Sequence, residues 1–331
     1  MALLLRSMGA RVWGFSLPPE HANGMFCSAG VEADLHHEIG DIRDLDMLRS
    51  SMKRAEPEIV IHMAAQALVR RSYLDPVETY STNVMGTVNL LEAVRLISGI
   101  KAVAIITSDK CYENTGAGIP FSESDPLGGF DPYSSSKAGA EIVTAAYRRS
   151  FFHGVGATRV ATARAGNVIG GGDWATDRLV PDIMRSFMRG ASVQIRNPDA
   201  VRPWQHVTDP LIGYLLLCEA LCAAPEFASS WNFGPLTRSQ ITVAEVASAL
   251  ARNWGPDAKW EIAGSDDLRE AAVLQLDCSK TVSRLKWRPL TEHDAAVALT
   301  VDWYRAFNEG RDMRKFSLGQ IDSIVGNFQS S

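Results

Sequence analysis

The sequence has no excess of basic residues. Its 33 lysines and arginines stand against 38 aspartates and glutamates, for a formal net charge of −5. The dense positive footprint that gives affinity for a nucleic-acid backbone is therefore missing. Cysteine is sparse and odd in number (Cys27, Cys111, Cys218, Cys222 and Cys278), with no CxxC pair. That argues against a disulfide framework or a zinc site and fits a reducing compartment. The longest apolar stretch, Leu211 to Ala224, contains Glu219 and falls short of the roughly 20 residues needed to cross a bilayer. The opening Met-Ala-Leu-Leu-Leu-Arg is too short an apolar run for a signal peptide and has no small-residue cleavage site after it. A cytoplasmic protein is expected. What the chain does have is 331 residues at 46% hydrophobic, enough for two domains or one large α/β unit with a full core.

From residue 1 to about 165, short β-branched or apolar runs alternate with longer amphipathic segments, the pattern of βαβ units and a parallel sheet. Strands are predicted at Arg11 to Phe15, Asp34 to Glu38, Glu58 to His62, Ala102 to Thr107 and Ala157 to Arg164. Helices are predicted at Asp44 to Ala55, Val77 to Leu96 and Ser135 to Ser150, where apolar residues recur at three- and four-residue spacing. The fold class is α/β, a doubly wound Rossmann-like sheet over residues 1–165, followed by a smaller, mainly substrate-binding α/β lobe over 166–331, some of whose segments return to the first domain. In the second half, helices are expected at Leu179 to Arg189, Leu211 to Ala220, Val243 to Asn253 and Glu292 to Phe307.

In a dinucleotide-binding fold of this kind, the turn after the first, central strand carries glycines that let a pyrophosphate approach a helix N-terminus. Here Met1 to Met8 reads as a helix ending at Gly9 and leading straight into the Arg11 to Phe15 strand. The sequence thus reads as starting one βα unit late, without its first strand and Gly-rich turn. Gly170-Gly171-Gly172 follows the fifth predicted strand, not the first, and does not substitute.

Tyr133-Ser-Ser-Ser-Lys137 sets a phenol and an ammonium four residues apart on one face of a helix start. A nearby cation is expected to lower the phenol's pKa, so that Tyr133 can take a proton from a substrate hydroxyl while hydride leaves the same carbon. The same spacing also arises on a solvated helix face. Upstream, Thr107-Ser108-Asp109-Lys110 ends an apolar strand, at the edge where α/β sheets present ligand-binding groups. Asp109 suits an acid and Lys110 a base, or the two form a surface ion pair. Asp41-Ile42 follows an earlier strand, where a carboxylate and an amide suit an adenine edge, and Asp44 suits a helix cap. Ala64, Ala65 and Gln66 end another strand with small residues that let a cofactor lie against the backbone, and His62 beside them reads as a core histidine. Arg178, Arg196, Arg202 and His206 recur among apolar and aromatic positions. The arginines' forked donors suit a diphosphate, and solvated surface charge is the alternative.

Taken together, Thr107-Ser-Asp109, Tyr133-xxx-Lys137 and Arg164-Ala-Gly-Asn167-Val168 resemble the extended short-chain dehydrogenase/reductase family that acts on nucleotide sugars, over nearly the whole chain. Longer segments resemble its CDP-glucose 4,6-dehydratase branch: Asn167-Val-Ile-Gly-Gly-Gly-Asp173-Trp174, Asp177-Arg178-Leu-Val-Pro181-Asp182, Val201-Arg202-Pro-Trp204-Gln-His206-Val-Thr-Asp209, and Leu276-Asp-Cys-Ser-Lys280 with Trp287-Arg-Pro289. Asp109-Lys110 favours the CDP branch over the dTDP branch, in which Lys110 is matched by a glutamate. The resemblance implies an NAD-dependent dehydration of CDP-glucose with Ser108, Asp109, Lys110, Tyr133 and Lys137 as catalytic residues, and a homodimer. It places Asp41, Ile42, Ala64, Ala65, Gln66, Asn83, Thr107, Tyr133, Lys137 and Val168 along the cofactor. It places Asn167, Arg178, Gln194, Arg196, Arg202 and His206 along the CDP-sugar. The chain departs from that pattern in the missing glycine turn and in Arg269 before Glu270-Ala271, where the family has a histidine. A 4-epimerase, which shares the Tyr/Lys chemistry, and a non-catalytic binding chain are the alternative readings.

Overall fold

A computed structural model describes residues 1–236, 241–263 and 273–329. Arg269, Glu270 and Ala271 lie outside the described residues. In chain order the elements are α1 (Ala2–Ser7), β1 (Val12–Ser16), α2 (Met25–Ser28), β2 (Leu35–Ile39), α3 (Leu45–Ala55), β3 (Ile59–His62), α4 (Val69–Leu74), α5 (Pro76–Tyr80), α6 (Gly86–Arg95), β4 (Ala102–Ile106), α7 (Pro132–Ser150) and β5 (Arg159–Ala165). They continue through β6 (Val168–Ile169), α8 (Leu179–Met188), β7 (Val193–Ile195), β8 (Gln205–His206), α9 (Thr208–Ala223), β9 (Ser230–Phe233), α10 (Val243–Trp254), β10 (Trp260–Ile262), α11 (Ser279–Leu285), α12 (His293–Asn308) and α13 (Met313–Gln329).

The main sheet is parallel, in the order β3-β4-β5-β9. Its strands alternate in a way that explains the double winding. Val103 and Ile105 of β4 and Val160 of β5 point into one apolar cluster with Leu48 and Met52 of α3 and Leu90, Leu91 and Val94 of α6. Ala102 of β4 and Ala161, Ala163 and Ala165 of β5 point to the opposite cluster with Leu211, Leu217 and Leu221 of α9. Period two sends each set to its own face, and the small alanines let the predominantly apolar α9 lie close. β9, not foreseen as a strand, brings Trp231 and Phe233 back to this core.

β1 and β2 form a separate parallel pair, Val12 opposite Leu35 through Ser16 opposite Ile39. Among the described residues no strand joins this ribbon to β3. Phe15 of β1 and Val60 of β3 nevertheless pack against the same cluster.

The single helix predicted at Val77 to Leu96 is three pieces. Asp75 caps α5 by accepting from Glu78 N, and Pro76 occupies its first position. A π-helical turn, Ser81–Met85, then separates α5 from α6. Wider turns of this kind occur often at functional sites, and this one carries Asn83 inward. In the second half α8, α10 and α12 pack around Trp174, Trp204 and Trp303. No helix among the described residues is long and apolar enough to cross a membrane.

Candidate active site

A cavity of about 480 Å3 opens at the carboxyl edge of the main sheet, between that sheet and the α8, β7 and α9 segments. Thr107, Ser108, Asp109 and Lys110 reach it from the end of β4, and Tyr133 from the start of α7. Asp131 fixes that helix start, its carboxylate accepting from Ser134 N at 2.9 Å and from Ser134 Oγ at 2.6 Å. Gly129 precedes it at φ +130°, and a Cβ there would lie 2.4 Å from Ser135 N, so glycine is needed for the chain to close onto the helix.

Asp109 is 2% exposed. Its Oδ1 accepts from Ser108 Oγ at 3.0 Å, and its Oδ2 is buried without a hydrogen-bond partner. Burial raises its pKa against the pull of Lys110 and the Ser108 hydroxyl, which favours the protonated, donating form. Gly166 makes the space: a Cβ there would stand 2.3 Å from Pro203 Cγ and 3.0 Å from Asp109 Oδ2.

The Tyr133–Lys137 pair differs from the sequence expectation. Burial pushes the Tyr133 phenol up to about 12, while its hydrogen bond with Ser108 pulls the other way. The Lys137 ammonium donates to the Ile106 carbonyl at 3.3 Å, and burial lowers its pKa to about 8. The helix turn sets the two residues on one face, as predicted, but burial dominates both shifts, and the neighbours that act on them foremost are Ser108 for Tyr133 and Cys111 and Glu141 for Lys137. Of the five residues expected to be catalytic, four line the cavity and Lys137 lies beneath it.

The residues expected to line NAD fall into two groups. Thr107, Tyr133 and Val168 line the cavity. Ala64 and Ala65 follow β3, half-buried, with Gln66 beside them. Asn83 holds this segment, accepting from Gln66 N at 2.8 Å and donating to Gln66 O at 2.9 Å and Ser136 Oγ at 2.8 Å. The side chains of Gln66 and Asn83 are thus spent on the protein, and their contribution is to shape the main chain. Asp41, by contrast, is ion-paired with Arg43 at 2.5 Å, and Ile42 is buried in the α3–α6 core. The small residues after β3 and the Tyr133 phenol fit the nicotinamide and ribose end of a dinucleotide. No glycine-rich strand-to-helix turn accompanies them among the described residues, because Gly170, Gly171 and Gly172 pack instead against Val207, Trp303 and Met25. As expected, His62 is a core histidine, with Nε2 3.2 Å from Thr87 Oγ1.

On the sugar-nucleotide side, Asn167, Arg178, Gln194, Arg196 and Arg202 line the cavity. Arg178 pairs with Asp173 at 3.2 Å and Arg196 with Asp177 at 3.4 Å. Buried Arg202 donates to the Val201 carbonyl at 2.9 Å. His206 does not reach the cavity wall. It is 3% exposed, with Nδ1 2.7 Å from Thr208 Oγ1. The sequence reading missed Arg70, whose guanidinium lies 3.8 Å from Asp177, and Tyr214 of α9; both line the cavity. Arg70 stands eight residues past the predicted strand end at His62, and Tyr214 carries a hydroxyl among the leucines of a largely apolar helix. Those were the available signals.

This combination of a parallel α/β core with a Tyr/Lys cleft at its carboxyl edge is the architecture of Rossmann-fold nucleotide-sugar epimerases and dehydratases. The solved dTDP-glucose 4,6-dehydratase of Bacillus anthracis in complex with NAD superposes with a TM-score of 0.77 at 22% identity, covering 93% of this chain and 92% of that one. The UDP-glucose-4-epimerase of Stenotrophomonas maltophila, with bound NAD, gives 0.79 at 20% identity, covering 93% and 95%. More specifically, residues 20–300 match the GDP-mannose 4,6 dehydratase family model, and the chain belongs to that family. It is 47% identical to the CDP-glucose 4,6-dehydratase of Salmonella typhimurium over 98% of this chain and 92% of that protein. Identity to the dTDP-glucose 4,6-dehydratase of Streptomyces antibioticus is 29%, over 80% of this chain and 75% of that protein.

Proposed function

We propose that the chain converts CDP-glucose to CDP-4-dehydro-6-deoxy-D-glucose and water. Ala64, Ala65 and Tyr133 would hold NAD, which would supply a hydride acceptor able to return the hydride within the same turnover. Tyr133, hydrogen-bonded to Ser108, would take the O4 proton as its phenolate while the C4 hydride departs, leaving a 4-ketone; the positive charge of the oxidised nicotinamide and of Lys137 would offset the burial that raises the phenol. The ketone acidifies the neighbouring C5–H bond, and Lys110 takes that proton. Asp109 gives its proton to the C6 hydroxyl, which leaves as water. C6 then regains a hydride, and C5 a proton from Lys110. Arg178, Arg196 and Arg202 suit the two phosphates.

The observation that carries this reading is the buried Asp109, beside Lys110 and lining one cavity with Tyr133. A 4-epimerase has no step that needs such an acid. The 47% identity to a CDP-glucose 4,6-dehydratase supports the choice of nucleotide. A cytoplasmic homodimer belongs to the same reading. The homodimer is supported by exposed Leu74, Val77 and Tyr80 on α4 and α5 and exposed Ile142 on α7, apolar side chains suited to burial against a second copy.

Incubation with CDP-glucose and NAD tests the function. A 4-keto-6-deoxy product absorbing in alkali is expected. Recovery of a C4 epimer, or of unchanged CDP-glucose, would overturn the assignment.

A further inference from the structure

Beneath the cavity, on the side away from substrate, lies a buried ion pair that the reaction itself does not use. Glu141 is one turn beyond Lys137 on α7, so that Tyr133, Lys137 and Glu141 share one helix face. Its carboxylate accepts from Arg164 Nη2 of β5 at 2.8 Å, and the two side chains are 2% and 3% exposed. Glu141 Oε1 also accepts from Thr107 Oγ1 at 2.6 Å, and Oε2 from Thr162 Oγ1 at 2.7 Å and Ser230 Oγ at 3.3 Å. One carboxylate thus ties α7 to the end of β4, to β5 and to β9. Arg164 carries the tie onward, donating to Tyr112 Oη at 2.8 Å, whose hydroxyl donates to Asn232 Oδ1 at 2.7 Å.

Thr107 directly precedes Ser108, Asp109 and Lys110. A hydrogen bond from its hydroxyl to the helix that carries Tyr133 and Lys137 fixes the two catalytic segments relative to each other. We infer that Glu141, held by Arg164, is the positioning residue of this active site: it locks the Thr107–Lys110 strand end to the Tyr133–Lys137 helix and supplies the negative charge that keeps the Lys137 ammonium protonated in a dry environment. The catalytic part of this inference rests on the dehydratase reading.

The electrostatics agree with the geometry. Burial works against the Glu141 carboxylate, and Arg164 overcomes it and holds the group below its ordinary range. The groups facing Lys137 are His62 from β3, the Ile106 carbonyl from β4, Cys111 from the turn after β4, and Tyr133 and Glu141 from its own helix. His62 is held neutral by burial, its pKa lowered to about 3, and Cys111 is kept as the thiol by burial. Glu141 is therefore the anion among them at neutral pH.

Two variants and two readouts test this. Glu141→Gln leaves the Arg164 cation unpaired and lowers the melting temperature; Glu141→Gln combined with Arg164→Gln removes both buried charges and recovers much of that loss. In both, kcat falls by about ten- to a hundredfold with KM little changed, as expected for misplaced catalytic groups. Carbon-13 NMR of lysine labelled at Cε, assigned with Lys137→Arg, follows the Lys137 titration without substrate, and in both variants its midpoint moves to lower pH. Glu141→Asp keeps the charge and holds the midpoint near the parent value. Recovery of kcat alongside melting temperature in the double variant would reduce the pair to a structural role, and an unmoved Lys137 midpoint would overturn the electrostatic part. If the parent protein fails to turn over CDP-glucose, the substrate assignment falls, while the substrate-free titration still decides the role of Glu141 toward Lys137.

Discussion

The Lys137 ammonium donates to the main-chain carbonyl of Ile106 at 3.3 Å, so the lysine paired with Tyr133 in sequence is paired with β4 in space. Its charge is paid for in desolvation, which lowers its pKa from 10.5 to about 8. In the unfolded chain it keeps its proton to about 10.5, so between about 8 and about 10.5 the unfolded state binds more protons and stability rises with pH. Below about 8 the group destabilises the fold by about 3 kcal/mol, the equivalent of that pKa gap. Lys137→Met is therefore expected to raise the melting temperature at pH 7 while abolishing turnover, with the gain gone near pH 10.5. In the parent, kcat is expected to fall above about pH 8, as Lys137 loses its proton. A melting temperature at pH 7 equal to or below the parent's would refute the desolvation account.

Asp109→Asn removes the proton that leaves with the C6 hydroxyl and keeps the side chain's shape. Turnover is expected to drop by about a hundred- to ten-thousandfold, the usual range for a lost general acid. Tyr133 and Lys110 remain, so solvent deuterium should still enter at C5 of recovered CDP-glucose. Absence of that exchange would mean that Asp109 acts before the elimination step.

Gly166→Ala places a methyl group 2.3 Å from Pro203 Cγ and 3.0 Å from Asp109 Oδ2. Overpacking of this kind costs about 1 to 3 kcal/mol, and displacement of the acid lowers kcat by roughly ten- to a hundredfold. Thermal melts and steady-state kinetics on the same preparation measure both. Unchanged kcat with a lowered melting temperature would separate Gly166 from the placement of Asp109.

Arg196→Ala removes a cation from the cavity wall. A charge-assisted hydrogen bond to a phosphate is worth about 1.5 to 3 kcal/mol, so KM for CDP-glucose should rise by roughly ten- to a hundredfold with kcat less affected. The partner it leaves, Asp177, is 45% exposed in its side chain, so the melting temperature should move little. The salt dependence of KM should weaken in step. A KM within twofold of the parent's would remove Arg196 from the phosphate site.

The helical and strand periodicities told most of the fold because they report burial, and burial is what the core obeys. The Asp109 region was legible for the same reason: an apolar strand ending in Thr-Ser-Asp-Lys announces a carboxyl edge. Pairings made across the fold were not legible. Nothing local to Glu141 says that it meets Arg164, or that Asn83 bends a helix into a π turn to reach Gln66. A histidine among arginines looks like a ligand in one dimension, whereas the short β8 strand places His206 against Thr208. β9 was missed because four residues with a central Trp-Asn carry too little alternation to stand out.

Hydrogen-bond cooperativity ends at the break between β1 and β3. The two five-residue strands of the β1–β2 ribbon are held to the rest of the molecule by side chains, among them Trp13 to Ser51, Glu38 to Arg54 and Asp34 to Arg314. A two-stranded unit of that size has little stability of its own. It is expected to open as its own local unit, at a lower free energy than the β4–β5 ladder. Amide hydrogens of Val12–Ser16 and Leu35–Ile39 should therefore exchange earlier than those of Ala102–Ile106. Asp41, two residues past the ribbon, is expected to follow its opening. A ligand that engages Asp41 has to close this opening first, so protection of the ribbon becomes a gauge of how far along the cleft a bound molecule extends.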